Sequence, residues 1–417
     1  MEEIRPISHE DIHDVVRITA LAYPGSNLLA PDNRQRFAER VQDTLENDQN
    51  ASFHGLFREE RLLGVMKWYD FFMNVRGIQM LTGGIGTVAV DLLHKKEKVA
   101  KAMLQGFLAT YRERGVCLVS LYPFRVDFYK KMGFGQGTKV HQYRIAPASF
   151  PFTAKDKVSY LGEADREQIL ACYHRIVRCT HGMIKKTERE LKTFLDQPEQ
   201  VIVGCKKDGG RVTGYLVFHF QRTHEENRLH NDLVIKEFLY ENQEALLQLL
   251  SFLHSQSDQI QRVVLTTADE DFHMLLSDPG NGTDRLIPSI YHESHVSGVG
   301  LMYRVIDVPG FFHQLAPCRF GRESGLVRLN IRDSFLPENE GSWLIDFSEG
   351  HPQVVEAGEP DVELGMDISD FSSLVMGVIS LRKLHLYGLA DISDEKQIPF
   401  LDRLFAAGDK PRSTTPF

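Results

Sequence analysis

Cysteine is scarce in this 417-residue chain. Cys117, Cys172, Cys179, Cys205 and Cys318 make five, an odd number at spacings unlike those of metal-binding loops. The pattern speaks against a disulfide framework and a cysteine-built metal site, and it suits reduced thiols in a cytoplasm. Cys117 and Cys205 lie inside apolar, strand-like runs, where packing is their expected role. No apolar run approaches the roughly 20 residues of a membrane-spanning helix. The opening Met1-Glu2-Glu3-Ile4-Arg5 lacks the character of a signal peptide, so no membrane insertion is expected. Positive charge is not in excess either: 48 Lys and Arg face 57 Asp and Glu, for a net charge of −9. With no strongly basic segment, a nucleic-acid partner is not expected, whereas a cationic substrate suits the balance. What remains, 42% hydrophobic and 25% charged residues, is the make-up of a folded globular protein long enough for two or three domains.

Three blocks emerge, at residues 1–150, 151–292 and 293–417. The first opens with a short strand at Ile4-Arg5-Pro6-Ile7, a helix capped by Ser8 with Asp11 in a capping-box position, and a second helix over 34–45. Strands at 52–57 and 61–70 follow, and the block closes at the linker Pro147-Ala148-Ser149-Phe150-Pro151. The second block repeats this outline, with helices over 163–179 and 187–195 and strands at 200–206 and 211–220. Its hairpin Arg211-Val212-Thr213-Gly214-Tyr215-Leu216 echoes Arg61-Leu62-Leu63-Gly64-Val65-Met66, which suggests a duplicated unit. A strand at 232–239, a helix over 244–254 and a strand at 262–267 complete the copy. The third block reads as strands at 298–305, 325–331, 342–347 and 353–357, with helices over 370–380 and 396–407. Its last ten residues are polar and proline-rich and would fray if left alone, yet they end on the aromatic Phe417. The fold class is α/β (α+β), with mixed sheets.

The chemistry concentrates between Gly84 and Phe134. Gly86-Thr87-Val88-Ala89-Val90 reads as a buried strand. The turn Asp91-Leu92-Leu93-His94-Lys95-Lys96-Glu97-Lys98 then feeds a helix with Val99, Met103, Phe107 and Tyr111 on one face. A second buried strand at 116–122 follows. A basic turn at a helix N-terminus gathers N–H groups, the dipole and lysine charge at one point, which suits a pyrophosphate. On charge alone the same turn reads as a solvated loop. In the second block the matching stretch Tyr240-Glu241-Asn242-Gln243-Glu244 is acidic and would repel such an anion, which makes that copy a scaffold. Ligands of open α/β sheets gather at the carboxyl ends of strands, which places Tyr129 near anything the turn holds. A tyrosine there can serve a departing thiolate as acid, although spacing alone reads Tyr129 as a core aromatic.

These features resemble the GNAT acetyltransferases. Their loop, Arg/Gln-x-x-Gly-x-Gly/Ala after a strand, falls on Lys95-Lys96-Glu97-Lys98-Val99-Ala100, with Lys95 and Lys98 departing from it. Their Tyr-x-x-x-Gly-Phe run is matched by Tyr129-Lys130-Lys131-Met132-Gly133-Phe134. Two tandem GNAT-like units, the second lacking the coenzyme loop, and then a sterol-carrier-protein-like block resemble the enhanced intracellular survival (Eis) acetyltransferases. Gly341-Ser342-Trp343 and the run from Glu363 to Phe371 support the third block. The resemblance implies acetyl-CoA as co-substrate and no metal. It implies contacts to the coenzyme from Val88, Ala89, Val90, Lys95, Lys96, Lys98 and Val99. It further implies Tyr129 as general acid and the Phe417 carboxylate as general base. The acceptor is implied to be a small cationic amine (aminoglycoside-like, polyamine or lysine side chain), and the assembly a homo-oligomer, with hexamers known in the family. A free terminal carboxylate, with a pKa of roughly 3.3–3.7, becomes a usable base when apolar neighbours raise it. N–H groups near Thr87 and Val88 are placed to polarise a thioester carbonyl. Two other readings stand beside this one. The apolar stretch 371–379 suggests a lipid-binding cavity in the third block, and Lys98 in place of glycine suggests a degenerate, inactive loop.

Overall fold

The computed structural model describes residues 2–228, 230–283, 285–287, 290–415 and 417. They form two compact units, one of residues 2–137, 301–410 and 417, the other of residues 138–300 and 411–415.

In the first unit the N-terminal chain runs β1 (Glu2–Pro6), α1 (Ile12–Ala22), α2 (Pro31–Asn47), β2 (Ala51–Arg58), β3 (Arg61–Val75), β4 (Ile78–Val90), α3 (Val99–Glu113), β5 (Leu118–Leu121), α4 (Val126–Lys130) and β6 (Gly135–Gln136). The sheet is ordered β1-β2-β3-β4-β5, then the strand Met302–Val305, then β6. All pairings are antiparallel except β4 with β5. Arg76 and Gly77 both take left-handed φ, of 51° and 93°, which gives β3 and β4 the turn whose twist suits a long hairpin. Helix α3 buries Val99, Met103, Phe107 and Tyr111 against one face of the sheet, where Trp68 meets the Phe107 and Tyr111 rings edge-on. Helices α1 and α2 cover the other face through Val15, Ile18 and Val41, packed on Phe53 and Val65.

The same unit holds a second, five-stranded sheet, ordered His351–Val355, Gly341–Ser348, Gly325–Arg332, Val362–Asp367 and Ala390–Ile392. Phe311, Phe312, Phe320, Phe347, Phe371 and Phe405 fill its interior, none more than 2% exposed. Two arginines, one half-buried and one buried, tie this sheet to the first. Arg76, at the hairpin tip, donates to the carbonyls of Val375, Phe405 and Ala406, the orphan acceptors at two helix ends. Arg304, with no exposed surface, holds both oxygens of Asp333 at 2.7 and 2.8 Å and donates to the Met132 carbonyl. Asn339 steadies Asp333 at 3.1 Å, as does the Leu336 N–H at 2.9 Å.

The second unit is a seven-stranded mixed sheet, ordered His295–Gly298, Val140–Ile145, Arg262–Thr267, Asn231–Tyr240, Val212–Arg222, Val201–Lys206 and Val158–Tyr160. The helix Gln243–His254 packs on one face and the helices Arg166–Cys179 and Glu188–Leu195 on the other.

Four expectations change. The strand at 86–90 is only the end of β4, whose glycines disguised the rest. The strand Val140–Ile145 is an addition to the elements expected from the sequence. The run 298–305 is two strands, His295–Gly298 in the second unit's sheet and Met302–Val305 in the first unit's, so sheet membership does not follow a division at 150 and 293. The helix expected over 370–380 stops at Val375, because Gly377 turns left-handed (φ 72°), and a separate helix runs Leu381–Leu386.

Removing Arg304 leaves Asp333 buried without its counter-charge. Arg304→Met should therefore cost about 3–5 kcal/mol in chemical denaturation. A loss below about 1 kcal/mol would show that the hydrogen bonds of Asp333 suffice without the pair.

Candidate active site

Strand β4 leaves its partners on both sides. Toward β5 the pairing ends at Gly84 with Ser120, although β4 runs on to Val90. Toward β3 the register jumps between Lys67–Gly86 and Val65–Ala89, so Thr87 and Val88 together oppose Met66. Two residues against one is a β-bulge, and it releases main-chain groups from the ladder. Thr87 takes a φ of 50°, an outlier for a β-branched residue and a strain of about 1–3 kcal/mol. The Val88 carbonyl accepts from the Tyr23 hydroxyl at 2.7 Å, and burial pushes the Tyr23 pKa up to about 12. Ser120, fully buried at the fork, has a hydroxyl without a partner among the described residues. A gap flanked by released N–H groups and an orphaned hydroxyl fits a ligand with a thioester and an amide-bearing arm.

Phe417 sits on this face. A Cβ placed on Gly86 would meet the terminal carboxyl carbon at 3.4 Å and its oxygen at 3.5 Å, so the chain end lies one residue from the bulge. Its ring is held by Phe71 at 4.6 Å, Tyr122 at 5.1 Å and Tyr69 at 5.4 Å between centroids. The tail does not fray at its aromatic end. Tyr129 rides on α4, just past the end of β5, and is 2% exposed among Phe124, Phe128 and Phe134. Its hydroxyl makes no hydrogen bond among the described residues. Burial, reinforced by the neighbouring Tyr23, pushes that hydroxyl well above its ordinary value. The glycine of the Tyr-x-x-x-Gly-Phe run has a steric reason: a Cβ on Gly133, itself left-handed, would fall on the Arg304 guanidinium.

The basic turn joins β4 to α3. Asp91, buried at the end of β4, would be raised by desolvation, but the Leu93 N–H and Arg17 hold it below the usual carboxylate range. Lys95, Lys96 and Lys98 are exposed. Glu97 is engaged by Arg58 at 3.0 Å and His94 at 3.1 Å, which leaves the turn's balance positive. Lys96 and Lys98 are both left-handed, with φ of 69° and 63°. Lys98 thus holds the backbone shape that a glycine takes without cost, and α3 begins beyond it with no side-chain cap on its first N–H groups. Of the expected coenzyme residues, Val88, Ala89 and Val90 line the freed end of β4. Ala89 and Val99 are buried in the two cores, so only their main chain faces a ligand.

The second unit repeats the fork. Asn231–Tyr240 pairs with Arg262–Thr267 only over Asp232–Val234, and Lys236 is its extra residue. Its helix N-terminus is already satisfied: Asn242 caps the Ala245 N–H at 3.0 Å, and Glu241 binds Arg175 and Arg211. Glu244 pairs with Lys157 and Lys207. Tyr23 and Ser120 were not anticipated. Their signals were modest: an aromatic at the end of α1, and one hydroxyl in an apolar run. Gly83, Gly84 and Gly86 within one strand were the clearer sign of a bulge. No group of three or more metal-ligating side chains occurs among the described residues, and no described helix is long and apolar enough to cross a membrane.

Comparison with known proteins gives these forms their family. An acetyltransferase (GNAT) domain model matches residues 3–137, and a second acetyltransferase (GNAT) model matches 182–302. A sterol carrier protein domain model matches 308–412. An uncharacterized N-acetyltransferase of Streptomyces avermitilis is 23% identical over 358 residues, 80% of this chain and 81% of its own. The crystal structure of a GCN5-related N-acetyltransferase from Anabaena variabilis shares the fold over 100% of both chains, at a TM-score of 0.82 and 19% identity. Eis1 from Mycobacterium abscessus does so over 100% of both chains, at 0.75 and 18%. Two GNAT acetyltransferase domains followed by a sterol carrier protein domain make up this chain, and it is an acetyltransferase.

Proposed function

We propose that the chain is an Eis-type N-acetyltransferase that moves the acetyl group of acetyl-CoA to a primary amine, with the N-terminal GNAT domain as the working copy. The observation that carries the reading is the terminal carboxyl of Phe417 against Gly86, beside the bulge at Thr87 and Val88. The main chain of Val88, Ala89 and Val90 would hold the pantetheine arm. Lys95, Lys96, Lys98 and the Val99 N–H would hold the phosphates.

The roles follow from chemistry. An amine arrives as an ammonium and must lose a proton before it can attack. The Phe417 carboxylate is the base within reach of that face, and its charge also holds the cation. The N–H groups freed at the bulge stabilise the developing oxyanion without having to reorganise. Tyr129 faces the leaving sulfur. With its pKa raised, it serves mainly as a hydrogen-bond donor, since full transfer from a phenol near 10 or above to a thiolate near 8.5 is uphill. Lys67, across from Gly86 in register, sets its ammonium 5.0 Å over the Tyr69 ring and 3.3 Å from the Thr44 hydroxyl. A charge on that floor favours acceptors with one cationic end, such as a lysine side chain or a polyamine terminus, over dense polycations of the aminoglycoside kind. Thiol release across a panel of such amines decides the acceptor.

Tyr129→Phe should lower kcat about ten- to a hundredfold while sparing acetyl-CoA binding. Because burial keeps the hydroxyl protonated, the native enzyme should show no loss of kcat from this group below about pH 10. Unchanged turnover in the variant removes Tyr129 from the mechanism. Deleting Phe417, or extending the chain past it with a tag, should abolish turnover, and a fully active tagged enzyme would sink the carboxylate as base. Lys98→Gly should relieve a left-handed lysine and raise stability by about 0.5–1 kcal/mol in denaturant titration. It should also weaken acetyl-CoA about threefold at low salt, as loss of an exposed charge contact does.

A further inference from the structure

Beside the carboxyl of Phe417, the surface of the site is aromatic. Side chains directly opposite one another on paired strands share a face of the sheet. On the face that carries Phe417, Lys67, Tyr69 and Phe71 of β3 stand opposite Gly86, Gly84 and Thr82 of β4, and Ser120 of β5 stands opposite Gly84. None of these residues is acidic. The two glycines give the rings of β3 their room: a Cβ on Gly84 would strike Phe71, and one on Gly86 would lie 3.3 Å from the Tyr69 ring. The terminal carboxylate is the negative charge set on this floor.

Two more aromatic side chains stand just past the end of β5. Tyr122 is 38% exposed and Phe124 is 60% exposed. They link the two groups given chemical roles, since Tyr122 lies 5.1 Å from the Phe417 ring and Phe124 lies 5.6 Å, edge-on, from Tyr129. Pro123 between them has a fixed φ, so the pair loses little freedom when a ligand binds. Asp127, the acidic residue of this segment, is already paired with Arg125 at 2.6 Å. Exposed aromatic surface beside the reacting groups suits a ligand that is apolar over most of its length.

We infer that the acceptor is an arylalkylamine, a monoamine whose ammonium meets the Phe417 carboxylate while its ring packs on Tyr122 and Phe124. This rests on the proposed transfer to a primary amine at this face. Ring faces attract the ammonium before it gives up its proton, and they receive an aryl ring edge-on or offset. A polyamine or an aminoglycoside would bring further positive charge to a floor whose own side-chain charge, Lys67, is a cation. In the transfer the amine nitrogen bonds to the acetyl carbon as the carbon–sulfur bond breaks. Of the two protons the nitrogen gives up, one passes through the carboxylate to water and the other leaves on the thiol.

The test is thiol release from acetyl-CoA with 2-phenylethylamine, butylamine, spermidine or kanamycin as acceptor. The kcat/KM for 2-phenylethylamine should exceed that for each of the others about tenfold or more. Tyr122→Ser and Phe124→Ser, both at exposed positions, should each raise the KM for 2-phenylethylamine about five- to tenfold. The KM values for acetyl-CoA and butylamine should stay within about twofold. Equal kcat/KM for 2-phenylethylamine and butylamine, or variants that weaken both amines alike, overturn the inference. So does a preference for spermidine or kanamycin, which leaves the transfer to an amine standing. If the native enzyme releases thiol with none of the four, the proposed transfer itself fails, and the aryl subsite with it.

Discussion

Burying a guanidinium costs several kcal/mol unless its donors find acceptors, and Arg304 meets most of that demand with groups far apart in sequence. Asp333 takes two of its hydrogen bonds and the Met132 carbonyl a third, leaving only Nε unpartnered among the described residues. Met132 closes the turn that carries Tyr129, whose own carbonyl accepts from Met132 and Phe134. Asp333 and Asn339 belong to the third domain, and the strand bearing Arg304 lies between β5 and β6. The position of Tyr129 is therefore fixed by packing that reaches into the third domain. Gly133 is the counterpart of that arrangement, since any side chain there would displace the arginine.

The two GNAT domains share one backbone plan and differ in how its polar groups are met. Both have parallel central strands that pair for three residues and then part, and both insert one extra residue opposite the fork. In the first, the bulge is strained at Thr87, the helix N-terminus lacks a side-chain cap, and lysines stand at the turn. In the second, no non-glycine residue at the bulge is left-handed, Asn242 caps the helix, and Glu241 and Glu244 are consumed by basic partners. Strain and unsatisfied groups thus gather in the first copy, which is the copy proposed to work, and are absent from the same place in the second among the described residues.

Much of this was legible in the residues, and the losses have physical causes. The amphipathic face of α3, the basic turn and its acidic counterpart could be read because period and charge are local properties. The first half of β4 could not, because Gly83, Gly84 and Gly86 read as breakers in a strand where Gly83 makes room for Tyr111, Gly84 for Phe71, and Gly86 for Tyr69 and the chain end. The strand at 140–145 and the split of 298–305 were lost for a different reason. Which sheet a strand joins depends on long-range pairing that alternation does not encode. In the sequence Lys98 stands as a departure from the family's loop and as a coenzyme contact. Its left-handed φ shows what the glycine in that motif is for, and that a lysine can supply the same backbone shape at the expense of strain.

The proposed base, the carboxylate of Phe417, sets an unusual requirement on the rest of the molecule. An ordinary catalytic side chain is aimed by its own strand or helix, whereas a terminal carboxylate inherits its aim from a segment that would otherwise fray. The ring of Phe417 answers part of this, since three aromatic contacts fix the last residue and leave the carboxyl facing Gly86. Under the proposed mechanism, the aim of the base is therefore set by the packing of its ring and not by a side-chain torsion of its own.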